Sequence, residues 1–147
     1  MADSWVDFRD ALAETLATLP ELGVVIIRDR ASPGRFVQFL MDSDHFRVEV
    51  STAVDQMGRR PRTEQELSAL RAAGWQDTGD PGLNYVRLLD WPAPSAGYRE
   101  LADMMVIALR DVFEVPTPDR LGYEAWSNFG GEGDIDLPRL GLERVAG

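Results

Sequence analysis

The stretch from residue 22 to residue 54 decides the fold, and its apolar segments read Val24-Val25-Ile26-Ile27, Phe36-Val37-Gln38-Phe39-Leu40-Met41 and Phe46-Arg47-Val48-Glu49-Val50. In the third segment apolar and polar residues alternate, which is typical of a strand with one solvent-exposed face. The first two segments are apolar on both faces, which is typical of interior strands. Turn residues at positions 32–34 and 42–44 separate the segments. We therefore predict strands over residues 22–30, 35–41 and 45–54 that form an antiparallel meander.

Two amphipathic helices are predicted on either side of this meander. Ser4 is a suitable N-cap for a helix over residues 5–19, and Pro20 ends it. A longer helix is predicted over residues 95–113, with Pro116 and Pro118 behind it. In both segments the apolar residues recur at spacings of three and four, which places them on one face; they are Trp5, Phe8, Leu12, Leu16 and Leu19 in the first, and Tyr98, Leu101, Ala102, Met105, Ala108, Leu109, Val112 and Phe113 in the second.

Shorter elements complete the order α-β-β-β-α-β-α-β. Thr63 and Glu66 form a capping box for a short helix that Gly74 ends, and strands follow over residues 84–89 and 121–126. The predicted fold class is therefore α+β, an antiparallel sheet of about five strands with helices packed on it. One domain is expected over residues 1–147, with a core from about 5 to 126 and an acidic, Gly-rich tail over 127–147. The tail contains Leu137, Leu140 and Leu142, which are candidates for packing against the body.

Composition narrows the classes of function. The hydrophobic fraction of 44% is that of a globular protein, and the absence of cysteine excludes disulfides. A formal charge of -10 repels polyanions, so neither nucleic acid nor an anionic membrane is an expected partner. The first residues lack the pattern of a secretory signal, and the apolar run at residues 22–27 is too short to cross a bilayer. A soluble, cytoplasmic protein is expected.

The sequence offers little for catalysis. His45 is the single histidine, beside a turn, where a solvated side chain is the simpler interpretation. Without cysteine, the common zinc and thiol sites cannot be assembled, and no nucleotide or nucleophile motif is present. The acidic residues 130–136 lack the ligand spacing of a calcium loop. Arg59, Arg60 and Arg62 form either a solvated loop or a grip for an acidic peptide or phosphate. We expect no enzyme, no cofactor and no metal site.

Several short segments, in this order along the chain, resemble a family of bacterial peptide-binding chaperone-like domains often called TY-Chap domains. The family is related in fold to type III secretion chaperones and YbjN-like proteins. The segments are Gly34-Arg35-Phe36-Val37-Gln38-Phe39, Leu70 with Gly74-Trp75, Leu89-Asp90-Trp91-Pro92-Ala93-Pro94 with Tyr98-Arg99, Tyr123-Glu124-Ala125-Trp126, and Leu137-Pro138 with Leu140-Gly141-Leu142. The resemblance implies a sheet backed by helices that binds a segment of a client protein.

The candidate binding residues lie on the second predicted strand. If both long helices pack on one face of the sheet, Phe36 and Leu40 point to the other, with Gln38 between them. Such apolar side chains need a cover, which the short helix, the tail, a second copy of the chain or a client could provide. Trp91, in a Pro-rich connection, is either core packing or an exposed anchor. The predicted partner is therefore a client protein or peptide segment, with a second copy of the chain, in a homodimer, as the alternative.

Two other functions remain open at this stage. A small acidic α+β protein could instead be an immunity-type inhibitor that neutralises a basic toxin or enzyme. Such an inhibitor would bind one cationic partner, with an on-rate that depends steeply on ionic strength. A small-molecule-binding or enzymatic domain is the third hypothesis, and the lack of convergent polar groups in the sequence argues against it.

Overall fold

The computed structural model describes residues 4–19, 23–41, 45–50, 64–76, 85–90, 95–127, 135 and 137–144. Three helices and six strands occupy these residues. The helices are α1 (Trp5–Ala17), α2 (Glu64–Ala72) and α3 (Ser95–Ile107). The strands are β1 (Gly23–Asp29), β2 (Ser32–Met41), β3 (His45–Val50), β4 (Tyr85–Asp90), β5 (Leu121–Ser127) and β6 (Glu143–Arg144).

The strands form one sheet in the order β4-β3-β2-β1-β5-β6. All neighbours are antiparallel except β5 and β6, which are parallel. Consecutive hairpins account for β1 to β3, as the alternation in residues 22–54 predicts. The α+β class and the mainly antiparallel sheet are confirmed. The sheet has a sixth strand, β6, that was not predicted. A strand of two residues is too short to show a periodic pattern in the sequence.

Helix α1 begins as its sequence indicates. The Ser4 hydroxyl accepts a hydrogen bond from the Asp7 amide at 3.1 Å, which satisfies one of the free donors of the first turn. Thr15, a buried polar residue of this helix, donates from its hydroxyl to the Ala11 carbonyl at 2.8 Å. Four apolar residues of the predicted stripe are buried, namely Phe8, Leu12, Leu16 and Leu19.

Helix α2 ends in a turn that requires glycine. Gly74 has φ +110, and the amide of Trp75 donates to the carbonyl of Leu70 at 3.1 Å. This bond across five residues is the capping pattern that follows a left-handed residue. The turn directs Trp75 into the core, where it is buried. The predicted cap Thr63 lies outside the described residues.

Helix α3 is shorter than predicted because its last turns widen. From Ala108 to Val112 the backbone is π-helical, and the Phe113 amide donates to the Ala108 carbonyl at 2.9 Å. Arg35, at the start of β2, donates from Nη1 to the Phe113 carbonyl at 2.8 Å. The wider turn places Val112, Phe113 and Val115 in the core together, so this segment closes the end of the helical layer over β2.

All three helices pack on one face of the sheet, which we call the inner face. The buried side chains of α1, α2 and α3 share one apolar cluster with alternate residues of the strands. The strand residues of that cluster are Val25, Ile27, Val37, Phe39, Phe46, Val48, Val50, Tyr85, Leu121, Tyr123 and Ala125. Because side chains alternate along a strand, the residues between them point to the opposite face.

Candidate functional site

The opposite face of the sheet, which we call the outer face, is the candidate site. Its side chains are Val24, Ile26 and Arg28 of β1, Phe36, Gln38 and Leu40 of β2, Arg47 and Glu49 of β3, Val86 and Leu88 of β4, and Glu124 and Trp126 of β5. None of its apolar side chains belongs to the core cluster under the helices. Within the described part of the chain, no helix lies on this face.

Strand pairing arranges these side chains in rows that cross the sheet. One row reads Trp126, Val24, Leu40, Arg47, Leu88, and the next reads Glu124, Ile26, Gln38, Glu49, Val86. Neighbouring strands lie about 4.8 Å apart, so a row of this kind extends about 19 Å. The first row is mainly apolar and the second mixes apolar and polar groups, which gives the face two distinct bands.

The exposed fraction of the side chain differs from residue to residue along the apolar row. Val24, between Leu40 and Trp126, is only 3% exposed. Leu40 and Trp126 are half-buried, and Leu88 on the edge strand is 49% exposed. Val24 is therefore buried, whereas Leu40, Trp126 and Leu88 offer apolar surface to solvent.

The structure brings three of the four residues predicted as binding candidates onto this face. Phe36, Gln38 and Leu40 occupy alternate positions of β2, and all three are half-buried. The fourth, Trp91, lies outside the described residues. The alternation within β2 was therefore sufficient to assign these three side chains to one face.

Two apolar residues of the outer face were not singled out from the sequence, Trp126 and Leu88. Trp126 alternates with Ala125, which is buried on the inner face, and its neighbour across the sheet is Val24. The signal in the sequence was the pattern Tyr123-Glu124-Ala125-Trp126, in which Glu124 marks the face that carries Trp126. Leu88 precedes Leu89 in β4, and alternation alone could not decide which of the two leucines points outward.

The charged side chains of the outer face are paired with one another. Arg28 donates from Nη2 to Glu124 Oε2 at 3.1 Å across β1 and β5, and both side chains are mostly buried. Arg47 donates from Nε to Glu49 Oε2 at 2.8 Å along β3. Among the side chains of this face that the structure describes, two arginines and two glutamates thus balance, whereas the whole chain has a formal charge of -10. The face presents apolar surface and internally matched charges.

The described residues contain no grouping suited to a metal. No three His, Cys, Asp or Glu side chains among them are placed to hold an ion. In the same part of the chain, no helix has the length and apolar character needed to span a membrane. The described side chains of the outer face are half-exposed apolar groups beside paired charges.

A family model assigns the chain to the class of peptide-binding chaperone domains. The family TY-Chap3, described as T3SS (YopN, CesT) and YbjN peptide-binding chaperone 3, matches residues 1–127. The chain therefore belongs to the TY-Chap3 family, and the resemblance seen in the sequence is confirmed. Searches of curated proteins and of solved structures found no significant match.

Proposed function

We propose that this protein is a non-catalytic chaperone-like domain that binds a segment of a client protein in the cytoplasm, through the outer face of its sheet. The observation that supports this proposal most directly is the row Trp126, Val24, Leu40, Arg47, Leu88, whose apolar margins no described helix covers. Contiguous apolar surface with polar groups beside it is what marks interaction sites on folded proteins. The family's peptide-binding description is consistent with it.

The geometry indicates what part of a client this face would accept. Leu40 and Trp126 lie on either side of the buried Val24, so an apolar side chain of a client could contact both of these half-buried side chains. Binding there would bury more apolar area without opening the existing ion pairs. Because Arg28 and Arg47 already have carboxylate partners, the described side chains of this face offer a client no excess of charge.

The balanced charges also bear on the alternative function, an acidic inhibitor of a basic toxin or enzyme. An inhibitor that plugs a cationic active site needs an excess of carboxylates on its binding face. The described side chains of the outer face show no such excess. This favours the peptide-binding function for this surface, with the range of partners as the test between the two.

The experiment compares two variants that each replace one apolar side chain by aspartate. Leu40→Asp alters the centre of the outer face, beside Arg47, where the new carboxylate has a cationic neighbour. Val6→Asp is the matched control, because Val6 is 58% exposed on α1 in the helical layer. Thermal unfolding is measured for both. Val6→Asp should stay near the wild-type midpoint, and Leu40→Asp should lower it by only a few degrees, because Leu40 is half-buried and neither residue belongs to the core cluster.

Partners are captured from the source cell with the wild type and both variants, and segments of the captured proteins are then titrated as synthetic peptides. We expect Leu40→Asp to weaken peptide binding by about tenfold or more, because it replaces a buried apolar contact by a charge. Val6→Asp should leave the affinity within about twofold. Equal effects of the two variants, or none from Leu40→Asp, would refute the outer face as the site. Capture of one strongly basic enzyme alone would favour the inhibitor function.

A further inference from the structure

The outer edge of β5 is occupied by the chain's own C-terminal segment. The Ile135 amide donates to the Ala125 carbonyl at 2.9 Å, and β6 pairs in parallel with Gly122 and Tyr123. Between these contacts the Leu137 amide donates to the Tyr123 hydroxyl at 2.9 Å. Segment 135–144, which we call the tail segment, therefore supplies backbone partners along this edge.

One side chain anchors the tail segment. Leu140 is 0% exposed and belongs to the core cluster, at the end of a single 3-10 turn that packs on α1. Gly141, with φ +66, ends that turn and leads the backbone toward β6. The flanking residues Ile135, Leu137 and Leu142 are half-buried against the same cluster. One fully buried leucine between half-buried apolar neighbours is how a short peptide is held in a groove.

The family model ends before the tail segment begins. The model matches residues 1–127 and ends where β5 ends, at Ser127. The tail segment therefore lies outside the matched residues, although Leu137-Pro138 and Leu140-Gly141-Leu142 are among the segments that resemble the family. Without it, the edge of β5 would have unpaired backbone groups beside an apolar space the size of a leucine.

We propose that the edge of β5 together with α1 is a second peptide-binding groove, and that the tail segment is its ligand in cis. The groove takes a short segment with a leucine anchor, which pairs with β5 through a few backbone bonds. A segment of that chemistry from another protein competes with the tail segment. This proposal uses a different surface from the outer face and does not depend on a client binding there.

The polar contacts around the groove are weak enough for exchange. Arg30 and Glu143 pair at 2.9 Å and Arg139 and Glu14 at 3.8 Å, and all four side chains are largely exposed. Exposed pairs of this kind add little affinity. Retention of the tail segment therefore depends mainly on Leu140 and on the tether, the seven residues 128–134 that join Ser127 to Ile135.

The test uses the full chain with a protease recognition sequence in place of Gly130-Gly131-Glu132-Gly133. After cleavage, the tail is held without a covalent bond, and a fluorescent peptide of residues 134–145 is added. We expect saturable binding by anisotropy, reversed by unlabelled peptide. The uncut protein should bind the same peptide on the order of 100-fold more weakly, because a short tether gives the tail an effective concentration in the millimolar range.

Two peptide variants separate the anchor from the surface contacts. Leu140→Asp should lower the affinity for the cut protein by about 100-fold or more, since it places a carboxylate in a fully buried apolar position. Glu143→Gln is the matched control and should change it by less than about fivefold, since its ion pair is exposed. Equal binding of the Leu140→Asp and wild-type peptides would overturn the groove.

A second measurement covers the case in which the cut protein unfolds. In the uncut chain, hydrogen exchange of the Ile135 and Leu137 amides should proceed by local opening, at least about tenfold faster than that of the central strand β1. Exchange of those amides only with global unfolding would show that the tail is an integral part of the fold and overturn the proposal. A concentration-dependent dimer of the uncut chain that Leu140→Asp abolishes would assign the groove to a second copy, and would also overturn it.

Discussion

The two faces of β2 both carry apolar residues, but the residues of the two faces differ in burial. Val37 and Phe39 point to the inner face and are fully buried under the helices, whereas Phe36 and Leu40 point to the outer face and are half-buried. Both pairs are apolar, so hydrophobicity alone does not tell them apart. What differs is the layer that covers them. The inner face stabilises the fold, and the outer face retains apolar area that another molecule can bury.

The largest expected effect distinguishes the two faces through two phenylalanines of one strand. Phe39→Ala should lower the free energy of unfolding by about 3–5 kcal/mol, because it leaves a cavity in a closely packed core. Phe36→Ala is the matched control and should cost roughly a third of that, because the half-buried ring already meets solvent. Urea denaturation with a constant m value measures both. Similar losses would mean that the outer face is a second core.

A smaller effect is expected from the ion pair on the outer face. Glu124→Gln removes the carboxylate that accepts from Arg28, whose side chain is only 20% exposed. We expect a loss of about 1 kcal/mol, since a mostly buried guanidinium keeps only a neutral partner. The loss should persist in 1 M NaCl, because buried pairs are screened little. Complete suppression by salt would show that this face is ordinary solvated surface.

The smallest effect is expected on the solvent side of the helical layer. Arg110 hydrogen-bonds to both carboxylate oxygens of Asp111, at 2.8 Å and 3.0 Å, and this lowers the pKa of Asp111 below its ordinary value of 3.8. A depressed pKa in the folded state stabilises the protein above the unfolded pKa, and the gain disappears as the pH falls through the folded pKa. Both side chains are about half-exposed, so the gain is at most a few tenths of a kcal/mol.

The corresponding variant is Asp111→Asn. At pH 7 it should unfold slightly more easily than the wild type, and at a more acidic pH the difference should shrink, because the wild-type carboxyl is protonated as the pH falls through its folded-state pKa. Denaturation at the two pH values measures the difference. A loss of unfolding free energy larger than that of Glu124→Gln would contradict the structure, in which the ion pair on the outer face is the more buried of the two.

Alternation in the sequence was enough to predict the part of the outer face that β2 and β3 supply. In β2 and β3 it fixes which side chains share a face, and a hairpin turn fixes the register, so Phe36, Gln38 and Leu40 were assigned correctly to one face. Trp126 was not assigned to this face from the sequence. Its position beside Val24 depends on the pairing of β1 with β5, two strands that are far apart in the sequence. No local pattern encodes that pairing.

The remaining differences have a similar physical origin. The π-helical turn at Ala108–Val112 keeps the apolar spacing of an ordinary helix, so the sequence predicted one continuous helix there. The tail segment has its leucines in a Pro- and Gly-containing stretch without periodicity. Its packing is set by a single side chain, Leu140, and by backbone bonds to β5, which composition does not show.

The order of the strands has a consequence for synthesis of the protein. β1 is central in the finished sheet, yet one of its two neighbours, β5, begins only at Leu121. At about 5–20 residues per second, the ribosome needs about 5–20 s to extend the chain from β1 to β5. During that interval the Val24–Ile27 side of the nascent hairpin has an unpaired edge, which is where a β-rich chain associates wrongly with its neighbours. A domain of this topology is itself exposed to aggregation until its C-terminal third has been made.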